Sequence, residues 1–438
     1  MAGGTWNKQN KIRPGAYINF KSKRKDSHIL GERGIVTMPS NLSWGPEKQV
    51  IEIGANDDLF DLIGIDTTEE SALLIKESLK RANKLLLYRV NAGTKATATI
   101  EGLTITAKHS GIKGNDIKVI IQNNIDDETS FDVITMLGNR QVDKQMGVKS
   151  IENLNPNSFL EFKGTGELKA TAGIILSGAS DGVVTNGDYM DYLAAIELYN
   201  FNTMAVPTKD ASIKAIATSF IKRLREEEGK KVQCVLENYP EADYEGIISV
   251  KNGVILNDMT VIPSEKAVAF VAGATAGANV NQSLTYSTYD GAIDVDIRYT
   301  NKDIENALNN GEVVFITSNS KVIIEQDINT LKTFTEDKND DFRKNRTIRV
   351  IDGIGSDIKS LYENSYIGKA SNNEDSRNLF KKDIIKYLET LQGIGAIKNV
   401  VIEDVTVLYG NNKDSVFATV GIQPIDSMEK LYMNVEVQ

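Results

Sequence analysis

The alternation of helical and extended patterns along this chain breaks off near residue 92 and resumes near residue 186. Both flanks read as parts of one layered α/β unit, so the stretch between them is expected to be an insertion. Before the break, Gly34-Ile-Val-Thr-Met and Val50-Ile-Glu-Ile are short strand candidates separated by the turn-rich Ser43-Trp-Gly-Pro. Thr67-Thr-Glu-Glu then opens a helix, with Thr67 as the cap, Glu70 reaching back, and Leu74, Ile75, Leu79 and Ala82 as the buried stripe. Leu85-Leu-Leu-Tyr-Arg-Val follows as a strand buried on both faces. After the break come a helix over 188–199, the strand Met204-Ala-Val, and a long helix from Asp210. That helix carries Ile213, Ile216, Ala217, Phe220, Ile221 and Leu224 at helical spacing and ends at Gly229. Strands at 232–236 and Ile247-Ile-Ser-Val, an Ala-rich helix from Ser264, and the strand Val313-Val-Phe-Ile-Thr complete the layers.

Within the insertion the period changes to two: Ala96, Ala98 and Ile100; Leu103, Ile105 and Ala107; then Ile117-Lys-Val-Ile-Ile, Phe131-Asp-Val-Ile-Thr and Ile174-Ile-Leu. Turn clusters such as Ser110-Gly-Ile-Lys-Gly-Asn separate these runs, as in a small antiparallel barrel or sandwich. The last hundred residues read as an α+β block with helices over 342–351 and 376–391 and strands over 400–409, 416–422 and the final residues. The expected fold is therefore multidomain α/β plus α+β, with an extended arm at 1–22 and a discontinuous α/β core at 23–92 and 178–325. An inserted antiparallel β domain at 93–177 and a C-terminal α+β domain at 326–438 complete it.

The two ends carry a second constraint. Leu431, Met433, Val435 and Val437 alternate strictly with Tyr432, Asn434, Glu436 and Gln438, and chain ends patterned as half-buried strands must be tied down by something. Around Arg13-Pro-Gly, residues Ile12, Ala16, Ile18 and Phe20 form a second extended segment. Two such arms suggest pairing with other chains, copies of itself included. Residues 1–34 hold eight Lys or Arg against two Asp or Glu, a local +6 that leaves −16 on the remainder of a chain with net charge −10. The net charge argues against nucleic-acid binding, and a basic arm on an acidic body favours self-association; Lys21-Ser-Lys-Arg-Lys also fits a solvated loop. No stretch of apolar residues is long enough to span a membrane, and Met1-Ala-Gly-Gly-Thr-Trp lacks the apolar centre of an export signal, so folding in a cytoplasm is expected.

Catalytic constellations do not assemble from this sequence. The single cysteine, Cys234, sits in Val-Gln-Cys-Val-Leu and reads as an inert core thiol. His28 and His109 have no partner at metal-ligand spacing and read as exposed structural residues. Gly273-Ala-Thr-Ala-Gly lacks the Gly-Lys-Ser/Thr of a phosphate loop and reads as a helix end. Asp337, Asn339 and Asp341 match the start of a calcium loop, yet Phe342 and Ile348 stand where the turn glycine and the bidentate glutamate belong. Asp57-Asp58 and Asp126-Asp-Glu128 read as solvated loops. No cofactor or metal is expected, and a structural protein is favoured over an α/β enzyme acting on a small ligand, or an adhesin or surface-layer protein.

Several strings in order along the chain carry a family resemblance: Arg13-Pro-Gly-Ala-Tyr-Ile-Asn-Phe; Gly34-Ile-Val-Thr-Met-Pro with Trp44-Gly-Pro; Ala107-Lys-His-Ser-Gly-Ile-Lys-Gly-Asn-Asp-Ile; and Leu176-Ser-Gly-Ala-Ser-Asp-Gly. Further on stand Asp327-Ile-Asn-Thr-Leu-Lys-Thr-Phe-Thr, Phe342-Arg-Lys-Asn-Arg-Thr-Ile-Arg-Val-Ile-Asp, and the tail from Ile422-Gln-Pro to the end. With these the chain resembles, end to end, the contractile tail sheath proteins of phages and phage-tail-like bacteriocins of Gram-positive bacteria. Ser110 and Ala179 depart from the family's usual Pro and Gly. The resemblance implies a subunit that stacks in hexameric rings around an inner tail tube, contracts to drive the tube through a cell envelope, and exchanges strands through its terminal arms. It implies as partners other copies of the chain, the tube protein, and baseplate and tail terminator proteins. It implies no direct nucleic-acid contact and no membrane insertion. The expected place is a virion tail, or a headless R-type bacteriocin particle, assembled in the host cytoplasm. Lys381, Lys382 and Lys386 on the helix from Ser376 are candidates for the tube contact or for simple solvation of that helix.

Overall fold

The computed structural model describes residues 2–4, 15–17 and 33–437. Ile12, Ile18, Phe20, the basic stretch at 21–25, His28 and Gln438 lie outside the described residues.

The centre is a seven-stranded sheet: β1 Ile35–Ser40, β2 Val50–Gly54, β3 Lys84–Arg89, β4 Thr203–Ala205, β5 Gln233–Glu237, β6 Ile247–Val250 and β7 Glu312–Val313, in the order β7-β6-β5-β4-β1-β3-β2. All neighbours run parallel except the edge strand β2, which returns antiparallel to β3. Period-two alternation sorts the strand residues onto two apolar faces. Leu85, Leu87 and Val235 pack under the helices Leu73–Leu79 and Ser264–Gly277, while Leu86, Tyr88, Cys234 and Leu236 pack under Asn186–Ile196 and Ala211–Glu226. Cys234 is wholly buried in this second layer, and burial pushes its thiol pKa up. The long helix expected from Asp210 is present, and Asp210 caps it, accepting from the backbone N–H groups of Ser212 and Ile213.

The helix expected to open at Thr67 starts later, as the 3-10 turn Glu70–Ala72 running into Leu73–Leu79, and neither carries a side-chain cap. Residues 66–69 form a turn ahead of it instead: the Asp66 N–H donates to Glu69 Oε1 at 2.8 Å, and the Thr68 N–H donates to Asp66 Oδ1 at 2.9 Å. Glu70, freed from capping, pairs with Lys266 across the surface. Asp58 likewise is not merely solvated; it caps the short helix Leu59–Ile63 through the Phe60 N–H.

Residues 95–175 form two antiparallel sheets. One orders Arg140–Val148, Phe131–Leu137, Ile117–Asn123 and Thr171–Ile175; the other orders Leu160–Gly164, Leu103–Ser110 and Lys95–Ile100. Ile105, Val119, Ile121, Val133 and Leu160 fill the space between them. Arg89, at the end of β3, is fully buried where these sheets meet the core. Its guanidinium donates to the carbonyls of Gly45 (2.7 Å) and Ser110 (3.0 Å), so the charge taken from water keeps its hydrogen bonds. Asn91 beside it bridges the Leu42 backbone and the Asp181 carbonyl. The Ser110 N–H donates to Glu47 at 2.6 Å, a bond that a proline at this position would forfeit. His109 is half-buried rather than exposed, edge-on to Trp44 at 5.4 Å, and burial, with Lys108 adjoining, pushes its pKa down to about 4. The imidazole is therefore neutral at pH 7.

The Gly273 segment is the last turns of its helix, as expected, and its glycines have a packing role. An added Cβ on Gly273 would stand 2.1 Å from the Ser78 carbonyl oxygen, and one on Gly277 1.9 Å from that of Arg81. The helix therefore lies directly on the backbone of its neighbour. Gly273→Ala is expected to lower unfolding free energy by about 1–3 kcal/mol through overpacking. Gly393→Ala, at a helical glycine with open space around it, should be neutral or slightly stabilising. Denaturant titration of both variants checks the contrast.

Candidate assembly interface

The C-terminal block is built on two long helices, Asn345–Ser365 and Glu374–Gly393. Phe380, Ile384, Tyr387, Leu388 and Leu391 of the second face Val350 and Ile354 of the first. The first helix begins later than 342 and runs well past the expected 351; residues 340–343 make a separate 3-10 turn. The strand expected over 400–409 starts only at Val405, because Asp404 turns back to accept from the Val401 N–H at 3.0 Å.

Helix Asn345–Ser365 is fastened to the central layers by two buried ion pairs. Arg225 donates to both carboxylate oxygens of Asp352, at 2.7 and 2.9 Å, and to the Val232 carbonyl. Burial opposes the charge on Arg225, but Asp352 outweighs it and raises the arginine pKa. Arg349 pairs with Asp327, which also accepts from Leu284 N–H and Asn345 Nδ2 at 3.0 and 2.9 Å.

The chain leaves this block through a single anchored carboxylate. The Glu429 side chain is only 12% exposed and accepts from Lys344 Nζ, from Gln326 Nε2 at 2.9 Å and from Thr285 Oγ1 at 2.9 Å. Burial alone would raise its pKa; the bonds from Lys344, Gln326 and Thr285 prevail and hold it below the ordinary value. Beyond it nothing on the described chain covers the apolar residues: Leu431 is 83% exposed, Met433 70%, Val435 74% and Val437 96%. Regular structure ends at Gln423–Pro424, so the expected terminal strand is not a strand of this chain alone, since a ladder requires a second backbone. At the other end, Ala16 lies in Gly15–Tyr17, paired parallel with Ala2–Gly4, Ala16 opposite Gly3.

An open sheet stands in the same block. Val405–Tyr409 and Val416–Val420 pair antiparallel with each other and, among the described residues, with no third strand. Leu408, Tyr409 and Phe417 lie about half exposed on this hairpin, which is unusual for large apolar side chains on a two-stranded sheet with two free edges. Of the expected tube-facing lysines, Lys382 and Lys386 are exposed one turn apart on helix Glu374–Gly393, and Lys381 beside them is half-buried. The structure does not bring these lysines and the tail residues into one site. Asp337, Asn339 and Asp341 form no ligand set: among the described residues no group of three or more His, Cys, Asp or Glu side chains is placed to hold a metal ion. No described helix is long and apolar enough to cross a membrane.

Four sequence families match in succession: the tail sheath protein Gp18 domain III N-terminal region at residues 33–90, the phage tail sheath protein beta-sandwich domain at 91–181, the phage tail sheath protein central domain at 182–330, and the phage tail sheath C-terminal domain at 337–438. The phage-like element PBSX protein XkdK of Bacillus subtilis is 40% identical, with both chains covered over their full length. The crystal structure of a sheath tail protein from Desulfitobacterium hafniense superposes with a TM-score of 0.87 at 52% identity, over 97% of this chain and all of the other. The helical sheath of the anti-feeding prophage in its contracted state shares the fold, with a TM-score of 0.59 at 14% identity over 98% of this chain and all of the other.

The Glu429 anchor makes a pH-dependent prediction. A carboxylate whose folded pKa lies below its unfolded value contributes stability that is complete above the ordinary glutamate value and is lost as pH falls through the lower, folded one. Amide exchange at residues 425–430, where the Ile425 N–H is bonded to the Ala396 carbonyl, is therefore expected to quicken relative to the intrinsic rate at each pH on acidification through that range. Glu429→Gln should quicken it at neutral pH by tenfold or more, corresponding to about 1.5–3 kcal/mol for hydrogen bonds to a charged group. Exchange at those residues that is unchanged in the variant would show that the root is held by something else.

Proposed function

Because this chain belongs to the phage tail sheath family, we propose that it is the structural, non-enzymatic subunit of a contractile tail sheath. In this reading it polymerises as stacked hexameric rings around an inner tail tube and contracts to drive that tube through a target envelope. The observation that carries the proposal is the tail at 431–437: apolar at alternate positions, exposed on its own chain, and anchored at its root by Glu429. A segment of this kind has a use only where another copy supplies the ladder. The hairpin Val405–Tyr409 and Val416–Val420, with its exposed apolar residues, is a suitable acceptor.

The domain arrangement follows from the same reading. The α/β core carries the inserted β sandwich outward, the α+β block faces inward to the tube, and the arms containing Ile12, Ala16, Ile18 and Phe20 and Leu431, Met433, Val435 and Val437 exchange strands between neighbours. Baseplate and terminator proteins would close the two ends of the polymer. A headless bacteriocin particle uses the same subunit chemistry, and the reading applies equally to it.

Energetics favour a contact that is weak singly and persistent in a lattice. Ordering about nine residues costs about 9–18 kcal/mol of backbone entropy. Burying four apolar side chains contributes about 6–12 kcal/mol, and about six ladder hydrogen bonds about 3–9 kcal/mol. One arm is thus near neutral, and many arms acting together hold the tube.

Two experiments test this. A chain ending at Glu429 keeps the anchor and loses the tail, and it is expected to remain folded yet fail to form long tubes in negative-stain images; long tubes from it would remove the strand-exchange proposal. Charge reversal at Lys382 and Lys386 should leave empty sheaths able to form but weaken assembly on purified tubes, and unchanged tube loading would reject the basic-face assignment.

A further inference from the structure

Beside the root of the tail lies a cleft of about 620 Å³ between the end of helix Asn301–Asn309, residues 325–328 and the 3-10 turn at 340–343. Tyr286, Leu308, Ile328 and Phe334 give it apolar walls, and Glu325 and Arg343 give it charge. Both charged groups are incompletely satisfied. Among the described residues, Glu325 Oε2 is buried without a hydrogen-bond donor, and Arg343 Nε is buried without an acceptor. Burial alone pushes the Glu325 pKa up and that of Arg343 down, so neither is relieved by an opposite charge nearby. The remaining contacts are directed elsewhere: Arg343 Nη2 donates to the Leu308 carbonyl, and Lys344 is taken by Glu429.

Buried polar groups left unpaired in a folded chain require an explanation, because each costs the full desolvation of that group. Among the described residues no intrachain role supplies one. The cleft fits an occupant that brings a cation to Glu325 and an anion to Arg343, on a short linear scaffold with aliphatic stems to lie against Leu308, Ile328 and Phe334. Residues 21–26, Lys-Ser-Lys-Arg-Lys-Asp, have that composition. They come from a region with a local charge of +6 on a chain whose remainder carries −16. We propose that this cleft is a docking site for the basic segment at residues 21–26 of a second copy of this chain, with Glu325 receiving a lysine or arginine side chain. The inference rests on the sheath reading for its second copy, and it adds a charged contact separate from the exchanged strands.

The test has an assembly-independent part. A labelled synthetic peptide of residues 18–30 is titrated onto the full chain below its polymerisation concentration, at low and at physiological salt. Binding is expected to weaken with salt and to fall at least tenfold in Glu325→Gln, while that variant melts at or above the unmodified chain because an uncompensated buried charge has been removed. Equal peptide affinity in the two, or a lowered melting temperature that reveals an intrachain partner for Glu325, overturns the proposal. The second part crosses two variants, Glu325→Lys in one chain and Lys21→Glu, Lys23→Glu, Arg24→Glu and Lys25→Glu together in the other. Each alone should polymerise only at a concentration about tenfold higher, and an equimolar mixture should recover, since opposite charges then meet between copies. Normal polymerisation of Glu325→Lys alone, or no recovery in the mixture, overturns the intercopy contact. Failure of the unmodified chain to polymerise at all would count against the sheath reading, and the peptide titration would still decide the site.

Discussion

The position of helix Asn345–Ser365 depends on the bidentate pair between Arg225 and Asp352, closed over by Val232 and supported one turn earlier by Arg349 on Asp327. Both pairs are nearly inaccessible to water, so their attraction is little screened, and removal of either partner would leave a naked buried charge. What they hold is more than one helix. Lys344 at its start grips the root of the tail, Arg33, just ahead of the first strand of the central sheet, donates to the Ala278 carbonyl at 3.1 Å, and Val280, two residues on from Ala278, packs against Val350 and Ile354. The root of the tail and the approach to the first strand of the central sheet are therefore both referred to one rigid element.

Much of the fold was legible because its elements follow one periodicity without interruption. Helix Ala211–Glu226 shows apolar residues at helical spacing behind an Asp cap, and the parallel strands read as short apolar runs. Elements that mix periods were lost. Arg140–Val148 is an edge strand whose charged residues face water and whose register shifts twice, so no alternation survives in it. Gly353 and Gly355 interrupt the helical pattern at 351, although the helix continues through them. The hairpin Phe315–Ser318 with Lys321–Ile324 turns on Asn319 and Ser320, both at positive φ, where no glycine announces the turn.

The candidate interface was legible in part for a similar reason. Alternation at 431–437 is a local signal and needs no knowledge of the remainder of the fold. Glu429 was missed because all its partners but the neighbouring Ser427 stand 85 to 144 residues away in sequence, and a lone carboxylate ahead of an apolar run looks like solubilising charge. The cleft at Glu325 and Arg343 is invisible at the sequence level for the same cause. His109 and Asp58 were judged by residue type, whereas Trp44 and the Phe60 amide decide what they do.

The junction at Arg89 has a mechanical meaning. Ser110 and Gly45 share one buried guanidinium, Asn91 ties Leu42 to Asp181, and Phe60, Phe159 and Trp44 stack across the boundary. Both chain crossings into the β sandwich are thereby clamped to the parallel sheet by hydrogen bonds and ring contacts. A sandwich held in this way would act as a lever: a few degrees of turn in the α/β layers would become a displacement at its far loops that grows in proportion to their distance from the axis.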